Sequence, residues 1–412
     1  MKKNGIGKWI LRIAAAIVII LIAIVTVKWK DIKEIAEILK YAGLFEPEHM
    51  AENFRSMQNL YPYKTVHRSG EVYRLSYEKE PLPGEFEYEG RNSSIPEWIE
   101  RTDTTGLIIL HNDKVVFEEY YKGYDEHSHE ISMSVSKSVI SFLLGTAVES
   151  GAIKNLSDPV DSYVSELRGS GYEGVSVKDV LQMSSGIRFT EDYQDLKSDF
   201  VRMIAAFTTG SLNAFIASLQ NEKKPGTYNK YISANTQVLG MVLAGATGKS
   251  VTQYTEEKLW SKLGAESDAY WLTDPNGTEL TLGGFCPVLR DLARFGLLYL
   301  HEGLNFQGER LISADWVHAS ITPDAPHLMP GKNNPMSFEP FGYGYHWWIP
   351  EKPMNDYLAI GIYGQFIYVH PPSGTVIVKT SAYRDYDGTV FDLENECVAA
   401  FQAIAKSFSE RD

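Results

Sequence analysis

The longest run of apolar residues lies near the N-terminus and spans Trp9–Val27. Its nineteen residues include one charged side chain, Arg12, which is close enough to one end to reach the lipid headgroups. An α-helix of this length rises about 1.5 Å per residue and nearly crosses a hydrocarbon core of about 30 Å. The run therefore predicts a transmembrane anchor. A cleaved signal peptide is the alternative, but no small-x-small site ends the run, so we favour an uncleaved anchor.

The segments beside this run predict its orientation and its connection to the rest of the chain. Residues 1–8 form a basic head, and positive charge is retained on the cytoplasmic side, so we expect the following domain on the extracytoplasmic side. Apolar residues at helical spacing over Asp31–Tyr41 predict a stalk that extends the anchor. Proline, glycine and charged residues from Tyr61 to Pro96 predict irregular linker or wrapping structure. Residues 28–96 are thus expected to join anchor and domain.

Apolar runs predict strands at both ends of the remaining sequence. Two hairpins are indicated, each by a pair of apolar runs around a polar turn: Leu107–Leu110 with Val115–Phe117, and Phe366–His370 with Thr375–Lys379. Helical patterns are found at Ser134–Glu149 and Glu394–Phe408, and residues 158–298 are mainly helix and loop. Strands at both ends with helices between them predict one α/β (α+β) domain over residues 97–412, with a single sheet and a mostly helical insertion.

The charge of the chain argues against nucleic acid as a partner. Residues 1–30 contain six basic side chains and no acidic one, so the other 382 residues have a formal net charge of −20, against −14 for the whole chain. Such a surface repels phosphate backbones. We interpret it as a solubilising acidic surface.

Cysteine and histidine give little indication of a metal or disulfide scaffold. The two cysteines are far apart, Cys286 in a predicted loop and Cys397 in the last helix. We expect them to be unpaired, although an oxidising compartment would allow a bond between them. His127 and His129 could suggest a metal pair, but no partner stands at a suitable spacing, so surface polarity is the preferred interpretation. No metal or organic cofactor is expected.

A serine and a lysine one helical turn apart form the first candidate catalytic pair. On a helix the side chains of Ser134 and Lys137 lie on one face and can touch. A serine hydroxyl needs a base to become a nucleophile, and lysine is a base only when burial or another cation lowers its pKa. The apolar residues that follow could supply this burial. The same Ser-x-x-Lys spacing at Ser76 and Lys79 lies in a charged, non-helical stretch, and we interpret it as chance.

Two further motifs are consistent with this chemistry. Tyr231 and Ser233 stand just before an apolar helix, where a tyrosine near a cation can act as a general acid or base and the serine can assist. Gly361–Gln365 begins the last hairpin, and glycines there allow a backbone N–H to approach a substrate oxygen. A packed tyrosine and an ordinary glycine-rich turn are the alternative interpretations of these two motifs.

In this order the three motifs resemble those of the serine β-lactamase and penicillin-binding-protein superfamily, from about Thr105 to the C-terminus. Ser134–Lys137 matches the first family motif, and Tyr231–Ser233 stands where many members have Tyr-x-Asn. Ile362–Gly364 stands where β-lactamases have Lys-Thr-Gly. The sequence looks most like the 6-aminohexanoate-dimer hydrolase and esterase branch. The resemblance implies an antiparallel sheet flanked by helices, with a mostly helical inserted subdomain.

The resemblance also implies roles for the residues of these motifs. Ser134 would attack an ester or amide carbonyl, Lys137 would take the hydroxyl proton, and Tyr231 would pass a proton to the leaving group. Ser233 would hold the lysine and tyrosine. The backbone N–H groups of Ser134 and of the Gly364–Gln365 segment would bind the oxyanion.

The substrate is expected to be a small ester or amide. Ile362 replaces the lysine that binds the carboxylate of β-lactams, which moves the expectation away from antibiotics. The candidate substrate contacts lie in several different segments: Tyr193, Cys286, Trp348 and Tyr363. A cell-wall-directed peptidase or β-lactamase is the alternative enzyme, and a membrane-anchored binding protein without turnover is the alternative from another class.

Overall fold

A computed structural model describes residues 36–37, 43–386 and 392–411 of the chain. The predicted head, the anchor at Trp9–Val27 and almost all of the stalk lie outside these residues, so their structure stays a prediction. Within the described ranges, no helix combines the length and the apolar character that crossing a membrane requires.

One large sheet forms the centre of the fold. The strands of the described residues are β1 (Tyr63–Val66), β2 (Ser76–Tyr77), β3 (Glu85–Tyr88), β4 (Arg91–Ser94), β5 (Thr104–His111), β6 (Lys114–Tyr120), β7 (Ala269–Leu272), β8 (Phe285–Cys286), β9 (Gly342–Tyr343), β10 (Trp348–Ile349), β11 (Tyr357–Gly361), β12 (Gln365–His370) and β13 (Thr375–Ser381). The eight strands of the large sheet follow the order β2-β6-β5-β13-β12-β11-β10-β9, and neighbours are antiparallel except for the parallel pair β2 and β6. A three-stranded sheet has the order β1-β7-β8, and β3 pairs with β4.

Both predicted hairpins are confirmed as β5–β6 and β12–β13, and they join at the centre of the sheet. There β13 pairs with β5, so the two ends of the domain sequence feed one sheet as expected. Successive side chains of a strand point to opposite faces. Ile108 of β5 packs in the core on one side, whereas Ile109 packs in the core on the other, against the last helix. Because both faces are covered, the central strands β5 and β13 are buried along their whole length.

Helices cover both faces of this sheet. The helices of the described residues are α1 (Met50–Arg55), α2 (Met57–Leu60), α3 (Ile95–Arg101), α4 (Ser136–Glu149), α5 (Val177–Leu181), α6 (Asp199–Thr209), α7 (Leu212–Ser218), α8 (Ser233–Thr247), α9 (Val251–Thr255), α10 (Leu289–Leu300), α11 (Ala314–Ser320) and α12 (Asp392–Ser409). The hydrophobic cluster that contains α12 includes Phe401, Ile404 and Phe408. The opposite cluster includes α4, α8 and α10, so the helices between the two hairpins lie together on that face.

The residues before 97 are more regular than the sequence predicts. We expected irregular structure from Tyr61 to Pro96, but this part contains four strands and the start of α3. Strand β1 pairs with β7, with Thr65 opposite Tyr270, and that partner is about two hundred residues away along the chain. Local composition cannot indicate such a distant partner. The segment also contributes Leu44, Phe54 and Met57 to the main hydrophobic core, so it is part of the folded body.

Residues 158–298 and Cys286 within them also differ from the expectation. Residues 158–298 contain helices as predicted, but also strands β7 and β8. Cys286 lies in β8 rather than in a loop, where it pairs with Tyr270. Cys286 and Cys397 are both buried free thiols. Burial raises the pKa of each, to about 12 for Cys397, so both thiols are poor nucleophiles.

Candidate active site

Ser134 lies in a short 3-10 turn at the entrance to α4 rather than in the α-helix itself. The turn spans Met133–Val135, and Met133 has a left-handed backbone with φ of 46°. The turn continues directly into α4, so the α-helix begins at Ser136, two residues later than predicted. The turn leaves Ser134 half-buried while the preceding and following side chains are buried. The hydroxyl is therefore presented at a sharp bend beside the first turn of α4.

Lys137 is in hydrogen-bond contact with this serine. Its Nζ donates to Ser134 Oγ over 2.7 Å and to the carbonyl of Leu282 over 2.6 Å. The side chain is 2% exposed. Burial disfavours the charged ammonium and lowers the pKa of Lys137 to about 7, although the Glu191 carboxylate acts in the opposite direction. Near neutral pH a large fraction of this amine can therefore accept a proton from the serine hydroxyl.

Glu191 is the site residue that the sequence interpretation missed. Its carboxylate accepts hydrogen bonds from the backbone N–H of Ser233 at 2.8 Å, from the Ser233 hydroxyl at 2.5 Å and from the Tyr193 hydroxyl at 3.1 Å. Burial raises the pKa of Glu191, while Lys137 and these donors lower it. Glu191 thus fixes the start of α8 and influences the charge of the candidate base. The signal available in the sequence was an acid two residues before Tyr193.

Tyr231 stands next to the serine and lysine, as its motif predicted. The ammonium nitrogen of Lys137 lies 5.1 Å from the centre of the Tyr231 ring. The ring stacks on Trp348, with centres 5.2 Å apart and an angle of 27° between the planes. Burial and Glu191 raise the pKa of Tyr231, whereas hydrogen bonding with Ser134 and Ser233 lowers it. The phenol therefore stays protonated and can donate a proton.

The loop between β11 and β12 abuts the serine turn. Gly361 pairs with Gln365, and a Cβ added to Gly361 would lie 2.8 Å from the Ser132 carbonyl oxygen and 3.0 Å from Met133 Cβ. A side chain would push the strand away from the serine turn, so glycine is required for this approach. Tyr363 and Gly364 have φ of 63° and 90° and form the bend.

The side chain of Gln365 is directed away from the site. Its amide nitrogen donates to the Ser381 carbonyl at 2.5 Å, so the backbone of Gln365 remains the candidate for oxyanion binding. Behind the bend lies Lys379 of β13, which is buried and bonded to the Ser381 hydroxyl. A Cβ on Gly364 would be 3.6 Å from the Lys379 ammonium nitrogen. A buried cation is therefore present behind the bend, although Ile362 occupies the position of the family lysine.

Two cavities meet at Ser134. The wide cavity has a volume of about 630 Å³ and is lined by aromatic and polar residues, including Tyr231 and Trp348. Four acidic residues line it, Glu191, Asp192, Glu339 and Glu394, and Lys230 is the basic residue among its described lining. The narrow cavity has a volume of about 70 Å³ and an apolar lining. Ser134, Tyr193 and Ile362 line both cavities.

The structure brings together most of the residues chosen from the sequence, but not all of them. Ser134, Lys137, Tyr231, Ser233 and Tyr193 form one cluster, and Trp348 lines the wide cavity.

Two of the expected substrate contacts lie outside both cavities. Cys286 is fully buried in β8, where its thiol lies 3.7 Å from the Gly284 carbonyl oxygen. The Tyr363 ring stacks on Phe45, with centres 4.8 Å apart, instead of facing the serine. The Tyr363 ring belongs to the main hydrophobic core, and it is not among the residues that line either cavity.

The chain matches a known protein family and a characterised relative in sequence. The sequence model of the Beta-lactamase family matches residues 99–392. The chain is 31% identical to a 6-aminohexanoate-dimer hydrolase of Paenarthrobacter ureafaciens over 305 residues, which cover 72% of this chain and 77% of that protein.

Solved structures show the same fold. A candidate 6-aminohexanoate-dimer hydrolase from Bacillus anthracis has a TM-score of 0.78 at 20% identity and covers 89% of this chain and 96% of its own. EstCE1, a hydrolase with promiscuous acyltransferase activity, has a TM-score of 0.57 at 13% identity. The match covers 75% of this chain and 96% of EstCE1.

Proposed function

Because this chain belongs to the beta-lactamase family of serine hydrolases, we propose that it cleaves esters and small amides through an acyl-enzyme on Ser134. The observation that carries the proposal is the contact of 2.7 Å between Ser134 and a buried lysine where the two cavities meet. A hydroxyl and a neutral amine at this distance are a nucleophile and its base. The resemblance to a 6-aminohexanoate-dimer hydrolase, whose name describes amide cleavage, supports the reaction class.

The reaction proceeds in two halves. Ser134 Oγ attacks the carbonyl carbon while Lys137 takes its proton, and the oxygen that gains negative charge is held by the backbone N–H groups of Ser134 and Gln365. Collapse of this intermediate breaks the bond to the alcohol or amine, which takes a proton from Tyr231. Lys137 passes the proton it took from Ser134 to the Tyr231 oxygen, which restores both groups. A water molecule then attacks the acyl-enzyme and gives its proton to Lys137, and Lys137 returns that proton to Ser134 Oγ as the acid is released. Glu191 holds Ser233, which is a hydrogen-bond partner of Tyr231, and its charge acts on Lys137.

The lining of the wide cavity supports esters and amides over β-lactam antibiotics. A β-lactam carries a carboxylate, which would enter a cavity lined by four acidic residues and one lysine. That lysine, Lys230, is paired with Glu222 at 3.2 Å. Ile362 provides no charge of its own. Burial raises the pKa of Glu339 to about 8 and also raises that of Glu191, so repulsion from these two carboxyls is weakened near neutral pH. An anionic substrate is still disfavoured, because the basic residue of the described lining, Lys230, is already paired.

A panel of three substrates tests this proposal. We expect residues 43–412 as purified protein to turn over a short-chain nitrophenyl ester, to cleave a neutral N-acyl amine more slowly, and to leave a chromogenic β-lactam almost intact. Initial rates at equal enzyme concentration measure the preference. Faster turnover of the β-lactam would reverse the assigned substrate class, and failure to turn over any of the three would favour a binding protein.

The pH dependence tests the link between Lys137 and Glu191. Only neutral Lys137 accepts a proton, so kcat/KM should rise with pH through the lowered pKa of this amine. The negative charge of Glu191 raises that pKa, and the substitution Glu191→Gln should therefore move the rise in kcat/KM to lower pH. A pH–rate profile for the ester measures the shift.

The neighbouring substitution Asp192→Asn is the matched control for this profile. Asp192 lines the same cavity, but its carboxylate accepts hydrogen bonds from the backbone of Gln194 and Asp195 rather than from the catalytic cluster. The control profile should keep the wild-type midpoint. A midpoint that moves to higher pH in Glu191→Gln, or equally in both variants, would contradict the coupling.

A further inference from the structure

The narrow cavity is a second space that reaches the proposed nucleophile. It extends from Ser134 in the direction away from Tyr231 and Trp348, which line only the wide cavity. Beside the serine turn and residues 272–283, its walls include two further parts of the chain, the segment of residues 44–61 and the helix α6. Neither part carries a motif that the sequence singled out. A substrate held at Ser134 has two halves, and the two cavities offer a separate place for each.

Aromatic rings pack along one side of the narrow cavity. Phe45 stacks on Tyr363 with centres 4.8 Å apart, and Phe54 meets the same ring edge-on at 5.5 Å. These contacts hold residues 44–61 against the bend between β11 and β12. Ile362 lies where the two cavities meet, because it lines both of them. The narrow cavity therefore reaches Ser134 beside Ile362.

The lining of this pocket excludes charge. Of the described residues that line it, none has an ionised side chain. The hydroxyls of Ser233 and Tyr193 are already engaged by Glu191. The rest of the wall is aliphatic or aromatic, including Ile204 and Phe207 of α6. A buried charge without a partner is strongly disfavoured in such a lining, whereas a methylene chain gains from leaving water.

The volume limits the length of the chain that fits. A cavity of about 150 Å³ takes the six carbons of benzene, so a volume of about 70 Å³ corresponds to roughly three carbons. The carbonyl carbon and its neighbour would lie next to Ser134, outside this volume. An acyl group of roughly four to six carbons would fill the pocket, and a longer one would not fit without displacing the wall.

From these observations we infer that the narrow cavity is the acyl subsite and that it takes a short, unbranched and uncharged acyl chain. This inference rests on the proposed acyl-enzyme at Ser134. The leaving alcohol or amine then occupies the wide, acidic cavity. Linear 6-aminohexanoate dimer should be a poor substrate, because its acyl half ends in an ammonium group and its leaving half carries a carboxylate.

A series of nitrophenyl esters tests the acyl subsite. We expect kcat/KM to be highest at butanoyl to hexanoyl and to fall by about tenfold or more at decanoyl, the range that one or a few methylenes produce in an apolar pocket. The 6-aminohexanoyl ester should be cleaved at least about tenfold more slowly than the hexanoyl ester. A flat dependence on chain length, or equal rates for the charged and uncharged esters, would overturn the inference.

Two substitutions in the wall of the narrow cavity should change the preferred acyl length in opposite directions. Ile204→Phe fills the pocket and should lower the pentanoyl-to-acetyl ratio of kcat/KM about tenfold, while Phe207→Leu enlarges it and should raise the octanoyl-to-butanoyl ratio. Met329→Phe is the matched control, because Met329 is 48% exposed and is not among the residues that line either cavity. The preference for the longer acyl chain should fall in one pocket variant and rise in the other. Such opposite changes cannot result from a general loss of folding.

The same measurements separate failure of this inference from failure of the proposed function. If a fluorophosphonate labels Ser134 and the acetyl ester is turned over, but Ile204→Phe and Met329→Phe behave alike, the acyl subsite alone is wrong. If Ser134 is not labelled and no ester is turned over, both the proposed acyl-enzyme and the acyl subsite are wrong.

Discussion

Replacing Ser134 with alanine is expected to lower kcat/KM for a short-chain ester by at least about a thousandfold, as removal of a nucleophile does in other serine hydrolases. The substitution removes the only oxygen that can form the acyl-enzyme, while the base and the oxyanion donors remain. Stability should hardly change, because Ser134 is half-buried and its hydroxyl contacts the side chains of the candidate catalytic cluster, Lys137 and Tyr231. Steady-state kinetics, fluorophosphonate labelling and the melting temperature of the same protein measure these effects.

Ser76→Ala is the matched control for this substitution. Ser76 has the same spacing to a lysine, Lys79, but it lies exposed in the edge strand β2. We expect full activity and full labelling of Ser76→Ala. Labelling that persists in Ser134→Ala would place the nucleophile elsewhere and remove the basis of the proposed mechanism.

Lys137→Met should have the second largest effect, a loss of about 10²–10⁴-fold in the acylation rate. Methionine has nearly the same length and is apolar, so it fills the space of a side chain that is 2% exposed. It removes the base and leaves the Leu282 carbonyl without its donor, which costs about 1–3 kcal/mol. The gain from no longer burying an amine opposes this cost, so the melting temperature should change little.

Pre-steady-state release of nitrophenol measures the acylation step directly. In Lys137→Met the rise of the rate with pH that belongs to the lysine should also disappear. Lys79→Met, at the second Ser-x-x-Lys, should behave as wild type. A variant of Lys137 that acylates at the wild-type rate would move the base to another group of the cluster, with Tyr231 as the first candidate.

The catalytic cluster could be predicted because its residues stand in local motifs. Ser134 and Lys137 are adjacent on one helical face wherever the helix is placed, and Tyr231 precedes an apolar helix that must pack. The hairpins β5–β6 and β12–β13 were likewise visible from apolar runs around polar turns. For the hairpins and for Ser134 with Lys137, the deciding interaction is between residues that are close along the chain. The place of Tyr231 beside them was indicated by the resemblance of the three motifs to the family.

The features that were missed depend on contacts between distant residues. Strand β1 gains its partner β7 only in the folded chain, and Glu191 gains its importance from Ser233 and Lys137. Cys286 follows two glycines and a phenylalanine, which suggested a cleft residue, but the strand directs its side chain into the core. The apolar pocket combines residues 44–61 with α6, and neither segment alone predicts it.

The edges of the large sheet have a consequence for the behaviour of the protein in concentrated solution. Its outermost strands, β2 and β9, are each two residues long, so little unpaired backbone is left for a strand of a second molecule. The inner strands β5 and β13 are apolar on both faces, and such segments self-assemble when they are exposed. The native protein should therefore resist aggregation, whereas partly unfolded molecules should be the source of any precipitate.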